Sequence, residues 1–397
     1  MSLKSSIFSF FAGSGFLDLG FESSGFDIVY VNEIFPPFAE AYRYSREFLN
    51  LKSPEYGYHH GAEADVTYLI EGERAIYLKD LLQDCRQHND IIGFIGGPPC
   101  PDFSVGGKNR GNLGDNGKLS ATYIELICQQ KPDFFLFENV KGLWKTKKHR
   151  SFYDSLKQKL NQAGYILTER LINAIEYGVP QNRDRIILLG FRNTLIQDIG
   201  INLSNEKVLP SGLFPWYKNT LYSRDKALSY PWVRNEPFKE NSVLLCPDNI
   251  PQELTVEFWF RKNDVLNHPN SKHYFQPRAG ITKFSSIDEG DDSRKSYKRL
   301  HRWRYSPTAC YGNNEVHLHP YKVRRISVAE ALAIQSLPAS FVLPDKMSLT
   351  NMFKTVGNGV PYLASKGIAQ TILDFLSIEQ CFYEQTLSKE LEEALVF

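Results

Sequence analysis

Apolar residues in the first half of the chain fall into short runs divided by polar or glycine-rich breaks. Residues 6–11 (SIFSFF), 26–32 (FDIVYVN), 90–95 (DIIGFI), 133–137 (DFFLF) and 185–191 (RIILLGF) each read as a strand apolar on both faces. Between them, 16–24 and 120–130 have helical spacing, with Ile124, Ile127 and Cys128 grouped in the second. Doubly buried strands alternating with helices predict an α/β protein with a mainly parallel sheet covered on both sides. In such folds ligands gather at the carboxyl ends of the strands. The residues just after each strand are therefore where chemistry is sought.

The pattern changes after about Arg192. Residues 193–320 are rich in Asn, Pro, Ser and aromatics, with weak periodicity, and predict a second, smaller and irregular domain. Regularity returns over 324–340, where Ser327 can cap a helix with Glu330 three residues on. A further helix is predicted over 360–376, and 387–395 places Leu387, Leu391 and Leu395 on one face, as packing or an oligomer contact would. The expected division is 1–192, 193–320, and a segment 321–397 that returns to the first domain. A chain of 397 residues is long enough for two cores.

Composition narrows the class. With 42% hydrophobic and 23% charged residues the chain has the make-up of a soluble globular protein. The net charge of +1 excludes a bulk polycation, so nucleic-acid contact would need local patches. One such patch is 294–304 (RKSYKRLHRWR), and Lys298, Arg299 and Arg302 in it are expected to face phosphates. The six cysteines are widely spaced without a CxxC pair, which argues against a disulfide framework or a zinc site, and no metal is expected. The short apolar run at the N-terminus is broken by Ser9, Gly13 and Ser14 and leads into Asp18. No stretch approaches the about 18 apolar residues that span a bilayer, so a cytoplasmic chain without a membrane partner is expected.

Four strand ends carry candidate chemistry. Phe11-Ala12-Gly13-Ser14-Gly15 follows the first strand, and its glycines let the backbone turn tightly beside a ligand. Glu33, ending the second strand, can accept from ribose hydroxyls, and Asp65 can meet the other end of the same nucleoside. This turn alone fits nicotinamide, flavin and adenosylmethionine enzymes alike. Gly96-Gly97-Pro98-Pro99-Cys100-Pro101 is a stiff loop around one cysteine, as a nucleophile held at a fixed attack angle requires. Glu138-Asn139-Val140 puts a carboxylate at the next strand end, where an apolar pocket would raise its pKa. Gln181-Asn182-Arg183-Asp184-Arg185 alternates two guanidinium forks that would share one face of a strand.

In this order, and with Arg324-Arg325 and Gly357-Asn358-Gly359 following, these motifs resemble the bacterial-type DNA (cytosine-5) methyltransferases. The resemblance spans the chain apart from about 193–300. It implies a Rossmann-like S-adenosylmethionine-dependent methyltransferase fold with a target-recognition domain within 193–320. It implies that Phe11, Gly13, Gly15, Glu33, Asp65 and Asn358 hold S-adenosylmethionine, with Ile34, Val66 and Pro99 at the pocket edge. S-adenosylhomocysteine would be the product. It implies Cys100 as nucleophile, Glu138 at the cytosine N3 side, and Arg183 and Arg185 near the base. The chain departs from the family at Phe16, where a third glycine is common, and at Gly359, where Ser or Ala is common.

The implied partner is double-stranded DNA with a specific target sequence, bound by a monomer, with a separate restriction endonuclease as a possible companion. The glycine-rich segment 106–117 is expected to close over DNA and bring Ser104 to the extruded nucleotide. An RNA methyltransferase of the same architecture is disfavoured by the sizeable recognition segment. A catalytically silent binding protein is disfavoured by the intact Cys100, Glu138 and Arg185 set. An oxidoreductase leaves the Pro-Pro-Cys loop unexplained.

Overall fold

The computed structural model describes residues 4–57, 61–88, 91–99, 115–203, 206–277, 281–294, 296–311 and 315–377. Seven strands form one sheet: β1 (Ser5–Phe10), β2 (Asp27–Asn32), β3 (Tyr56–Gly57), β4 (Ile91–Gly96), β5 (Phe134–Val140), β6 (Tyr165–Asn173) and β7 (Asp184–Arg192). Their order is β3-β2-β1-β4-β5-β7-β6. β3, β2, β1, β4 and β5 are parallel, and β7 runs antiparallel to both its neighbours. After β1 the chain builds outward to β2 and β3, and then returns to place β4 on β1's other edge. This reversal opens a crevice at the carboxyl ends of β1 and β4, whose last residues Phe10 and Gly96 pair directly.

Alternation along the strands divides the core between the two faces. Ile7, Ile95, Phe134, Leu136, Ile187 and Leu189 face one side, packed against Ile368, Ile372 and Phe375 of helix Tyr362–Leu376. Phe8, Phe10, Ile92, Phe94, Phe135, Phe137, Ile186 and Leu188 face the other, against helices Glu73–His88, Asp115–Gln130 and Lys147–Gln162. β6 and the helices Glu73–His88 and Lys147–Gln162 are not among the expected elements, whereas Asp115–Gln130 contains the helix expected over 120–130. β6 forms the sheet edge, and Glu169, Arg170 and Leu171 at its middle are partly exposed, which dilutes its apolar run.

The sheet's core extends past residue 192, because Leu195, Ile201, Leu209 and Phe214 all join it. The expected helix over 324–340 is shorter, Val328–Ile334, with the capping box in place: Ser327 Oγ accepts from Glu330 N at 3.2 Å and Glu330 Oε2 from Ser327 N at 2.7 Å. It stops because Ser336 takes a positive φ of 57°. A third cluster joins this helix to Phe16, Leu19 and Phe38, and to Val256, Trp259, Phe260, Met352 and Phe353.

The basic run at 294–304 is not uniformly a surface. Arg299 is fully buried, donating to the carbonyls of Phe284, Ile287, His319 and Lys322. Arg302 is buried against Glu289, with Nε–Oε1 and Nη2–Oε2 both 2.8 Å. This corrects the expectation that Arg299 and Arg302 face phosphates, since their donors are turned inward. Lys298 is partly exposed. Cys100, Ser104, the expected mobile segment up to residue 114, and 387–395 lie outside the described residues. Among the described residues no helix is long and apolar enough to cross a membrane.

Candidate active site

The first turn is built for close approach. Phe11, Gly13 and Gly15 all take positive φ, at 55°, 58° and 83°. A side chain on Gly15 would come within 2.7 Å of the Tyr42 ring, whereas beside Gly13 there is nothing within 4 Å. The open space is thus on the Gly13 side. Behind the turn, Asp18 accepts from Ser9 Oγ at 2.7 Å and from Tyr42 OH at 2.8 Å, and its burial raises its pKa.

Glu33 spans the top of β2. Its Oε2 accepts from Gly13 N and its Oε1 from Phe35 N, both at 2.8 Å. Burial pushes its carboxyl upward, with these two N–H donors opposing. The carboxylate therefore fixes the turn and borders the space beside Gly13. Ile34 is exposed next to it. Asn32 Nδ2 donates to Ala64 O at 2.9 Å, tying the 61–69 segment to the end of β2. There Asp65 Oδ1 caps the short helix Val66–Leu69 by accepting from Thr67 N at 2.9 Å, and Val66 is in the core.

The far wall comes from the C-terminal part of the chain. Helix Leu349–Asn358 ends with Asn358 exposed, and its Thr355 Oγ1 shares a 2.7 Å hydrogen bond with Ser14 Oγ. Glycines, a bordering carboxylate, open space and an exposed aliphatic side chain suit a nucleoside cofactor with ribose hydroxyls toward Glu33 and a base against Ile34.

The second half of the site lies across the crevice. Gly97 and Pro98 leave β4 and lead to Pro99, which is exposed. Glu138 sits near the end of β5 with its side chain turned to this loop: a Cβ on Gly97 would lie 2.7 Å from Glu138 Oε2. Glu138 Oε1 pairs with Arg185 Nε at 2.8 Å, and both side chains are largely buried. β7 brings them together because its antiparallel register sets Arg185 opposite Val140.

Arg183 goes elsewhere. It is buried, and it donates to Ala309 O at 3.1 Å, Gly357 O at 2.8 Å and Gly359 O at 3.1 Å. Burial and the neighbouring Arg185 charge lower its pKa to about 9, so it remains cationic at neutral pH. Of the two guanidinium forks only Arg185 reaches Glu138, whereas Arg183 braces the end of helix Leu349–Asn358 and the Gly359 that follows it. Gln181 completes this brace, accepting from Ala309 N at 3.1 Å and donating to Gln335 Oε1 at 3.3 Å. The sequence reading did not single out Gly97's contact with Glu138, or Ser9, Asp18 and Tyr42. The paired glycines were the only visible signal for the first of these.

Comparison with known proteins assigns the family. The family model for C-5 cytosine-specific DNA methylase matches residues 5–374. The chain is 55% identical over 383 residues to the Type II methyltransferase M.NmeDI of Neisseria meningitidis serogroup C, covering 96% of this chain and 86% of that protein. Among solved structures, one described as a DNA modification methyltransferase encoded within an E. coli prophage aligns with a TM-score of 0.58 at 20% identity, covering 94% of this chain and 100% of that one. Dnmt2 methyltransferase of S. pombe aligns at 0.55 and 14%, covering 94% and 98%. At these identities the two structures speak for the fold alone. The match over nearly the whole chain, with a methyltransferase relative above half identity, makes this chain a member of the C-5 cytosine-specific DNA methylase family, a DNA cytosine-5 methyltransferase.

Proposed function

We propose that the protein methylates carbon 5 of a cytosine swung out of a specific duplex sequence, with Cys100 as covalent nucleophile. The observation that carries this reading is Glu138, held by Arg185 against the glycine that leads into the Pro-Pro-Cys loop. Carbon 5 of cytosine is a poor nucleophile. Addition of the Cys100 thiolate to carbon 6 makes carbon 5 enamine-like as negative charge develops on the ring. A proton shared between Glu138 and N3 would balance this charge, and Arg185 would steady the carboxyl and the exocyclic oxygen. Once carbon 5 carries the new methyl group, loss of its proton to a base restores the 5,6 double bond of the ring and expels the thiolate. A base stacked in duplex cannot meet this set, so extrusion is part of the proposal, at about a few kcal/mol.

The space beside Gly13 fits S-adenosylmethionine, which supplies an electrophilic methyl group when bound. Glu33 and Asp65 would hold its nucleoside, Phe11, Ile34, Val66 and Pro99 its faces, and Gly13, Gly15 and Asn358 its turn and lip. The Neisseria relative is named a type II methyltransferase. That supports a place in restriction-modification, with a restriction endonuclease acting separately on the same DNA sequence.

Labelled methyl transfer from S-adenosylmethionine to duplex DNA tests the reading. Cys100→Ala should abolish transfer and leave cofactor binding largely intact, and 5-fluorocytosine in the target should become bonded to residue 100. Undiminished transfer by Cys100→Ala would refute the covalent route.

A further inference from the structure

Val243 and Leu245 are 88% and 89% exposed, with partly buried Leu244 between them. Single exposed aliphatics are ordinary. The way this segment is held is not. Arg302, itself locked by Glu289, donates from Nη1 to Ser242 O at 2.6 Å and from Nη2 to Ser242 Oγ at 2.8 Å. Trp303 Nε1 donates to Leu244 O at 3.0 Å, and Asn241 N donates to Tyr321 O at 2.8 Å. The Arg302 guanidinium also stacks 4.2 Å over the Tyr321 ring. A buried ion pair, the Trp303 indole and the Tyr321 backbone carbonyl thus fix the backbone of a segment whose two apolar tips stand in water.

Rigid presentation of apolar tips lowers the ordering cost of binding whatever covers them. Two aliphatic side chains fall far short of the roughly 800 Å² that each partner contributes to a stable protein interface. They suit the small apolar groups on base edges, above all the thymine methyl in the major groove. Lys239, exposed in the preceding turn, and Arg261, 69% exposed with its guanidinium 5.3 Å from the Trp303 ring centroid, flank the segment as candidate phosphate partners. Arg261 Nε is also paired with Glu257. The scaffold runs directly into the active site: beyond Trp303, Ser306 N donates to Pro180 O and Asn182 N to Ser306 O, and Ala309 O receives Arg183. Seven residues from Arg302 to Ala309 reach at most about 24 Å, so one short duplex can touch both places.

We infer that Val243 and Leu245 are specificity-determining residues that read base edges of the target DNA by apolar contact, on a mount formed by Glu289, Arg302 and Trp303. This rests on the activity proposed above. The test uses the full-length protein and its Val243→Ala/Leu245→Ala variant on unmethylated bacterial genomic DNA, with bisulfite sequencing of the product. Rates are then measured on a duplex carrying the mapped site.

The wild type should mark one sequence. The variant should bind S-adenosylmethionine normally, lose about tenfold in kcat/KM on that site, and mark sites that differ by one base pair. A variant with wild-type rate and wild-type sites overturns this inference alone. So does a variant whose only change is a dimer becoming monomer in sedimentation. A wild type that labels no DNA takes down both this inference and the activity beneath it.

Discussion

Phe16 and Gly359 occupy one another's space: a Cβ built on Gly359 would lie 2.1 Å from Cδ2 of the Phe16 ring. Phe16 is buried edge-on against Phe341 at 5.1 Å and has little room to retreat. These are the two positions where the chain departs from the family pattern, and the structure makes them a single exchange of volume across the cofactor lip. Gly359→Ala should therefore cost about 2 kcal/mol in the wild type by overpacking, and far less in a Phe16→Ala background. Denaturant melts of the four proteins give the coupling, and equal costs in both backgrounds would refute it.

Gly97→Ala is expected to leave the fold intact, because the atom it meets is the mobile end of Glu138. Displacing that carboxyl from the loop should lower kcat by about tenfold to a hundredfold. Calorimetry should find S-adenosylmethionine affinity within about twofold of wild type, since the three atoms nearest a Cβ on Gly97 all belong to Glu138 and none to the glycine turn. An unchanged kcat would remove Glu138's position from the mechanism.

Arg183→Met takes the guanidinium from three backbone carbonyls at once. A loss of about 3 kcal/mol of stability is expected. Arg183→Lys should recover little of it, because one ammonium cannot match a planar fork. Urea midpoints would decide this, and a Lys variant as stable as wild type would count against the brace.

Acid should loosen the region around His301 and His317. Burial lowers the pKa of His301 to about 4 and that of His317 to about 3. Both are neutral in the fold, and both would bind a proton near pH 6.5 once unfolded. The unfolded state thus binds more protons between these values, and stability falls as pH drops below about 6.5. From pH 6.5 to 5 each would cost about 2 kcal/mol. Melting temperatures across this range should drop for the wild type and drop less for His301→Gln.

Much of the sheet was legible because β1, β4, β5 and β7 lie inside it, so each reads as a short run rich in apolar residues on both faces. The glycine turn after β1 was legible because backbone that bends at positive φ needs glycine at fixed spacing. The antiparallel direction of β7 was not, since a run of apolar residues carries no sense of direction. Yet that direction is what sets Arg185 against Glu138. The basic run at 294–304 misled in part because its charges read as surface. Glu289, thirteen residues before Arg302, and four backbone carbonyls around Arg299 draw those two inward, and partners distant in sequence leave no local pattern.

The hydrogen bond between Ser14 and Thr355 has a consequence for the life of the molecule. Ser14 and Thr355 are 341 residues apart in sequence, so the two sides of this contact are synthesised far apart in time, and a chain that has not yet reached Thr355 lacks the second side. Conversely, two fragments cut in an exposed loop of the intervening region could each be inert and regain activity on association, which makes this chain a natural candidate for a split methylation reporter.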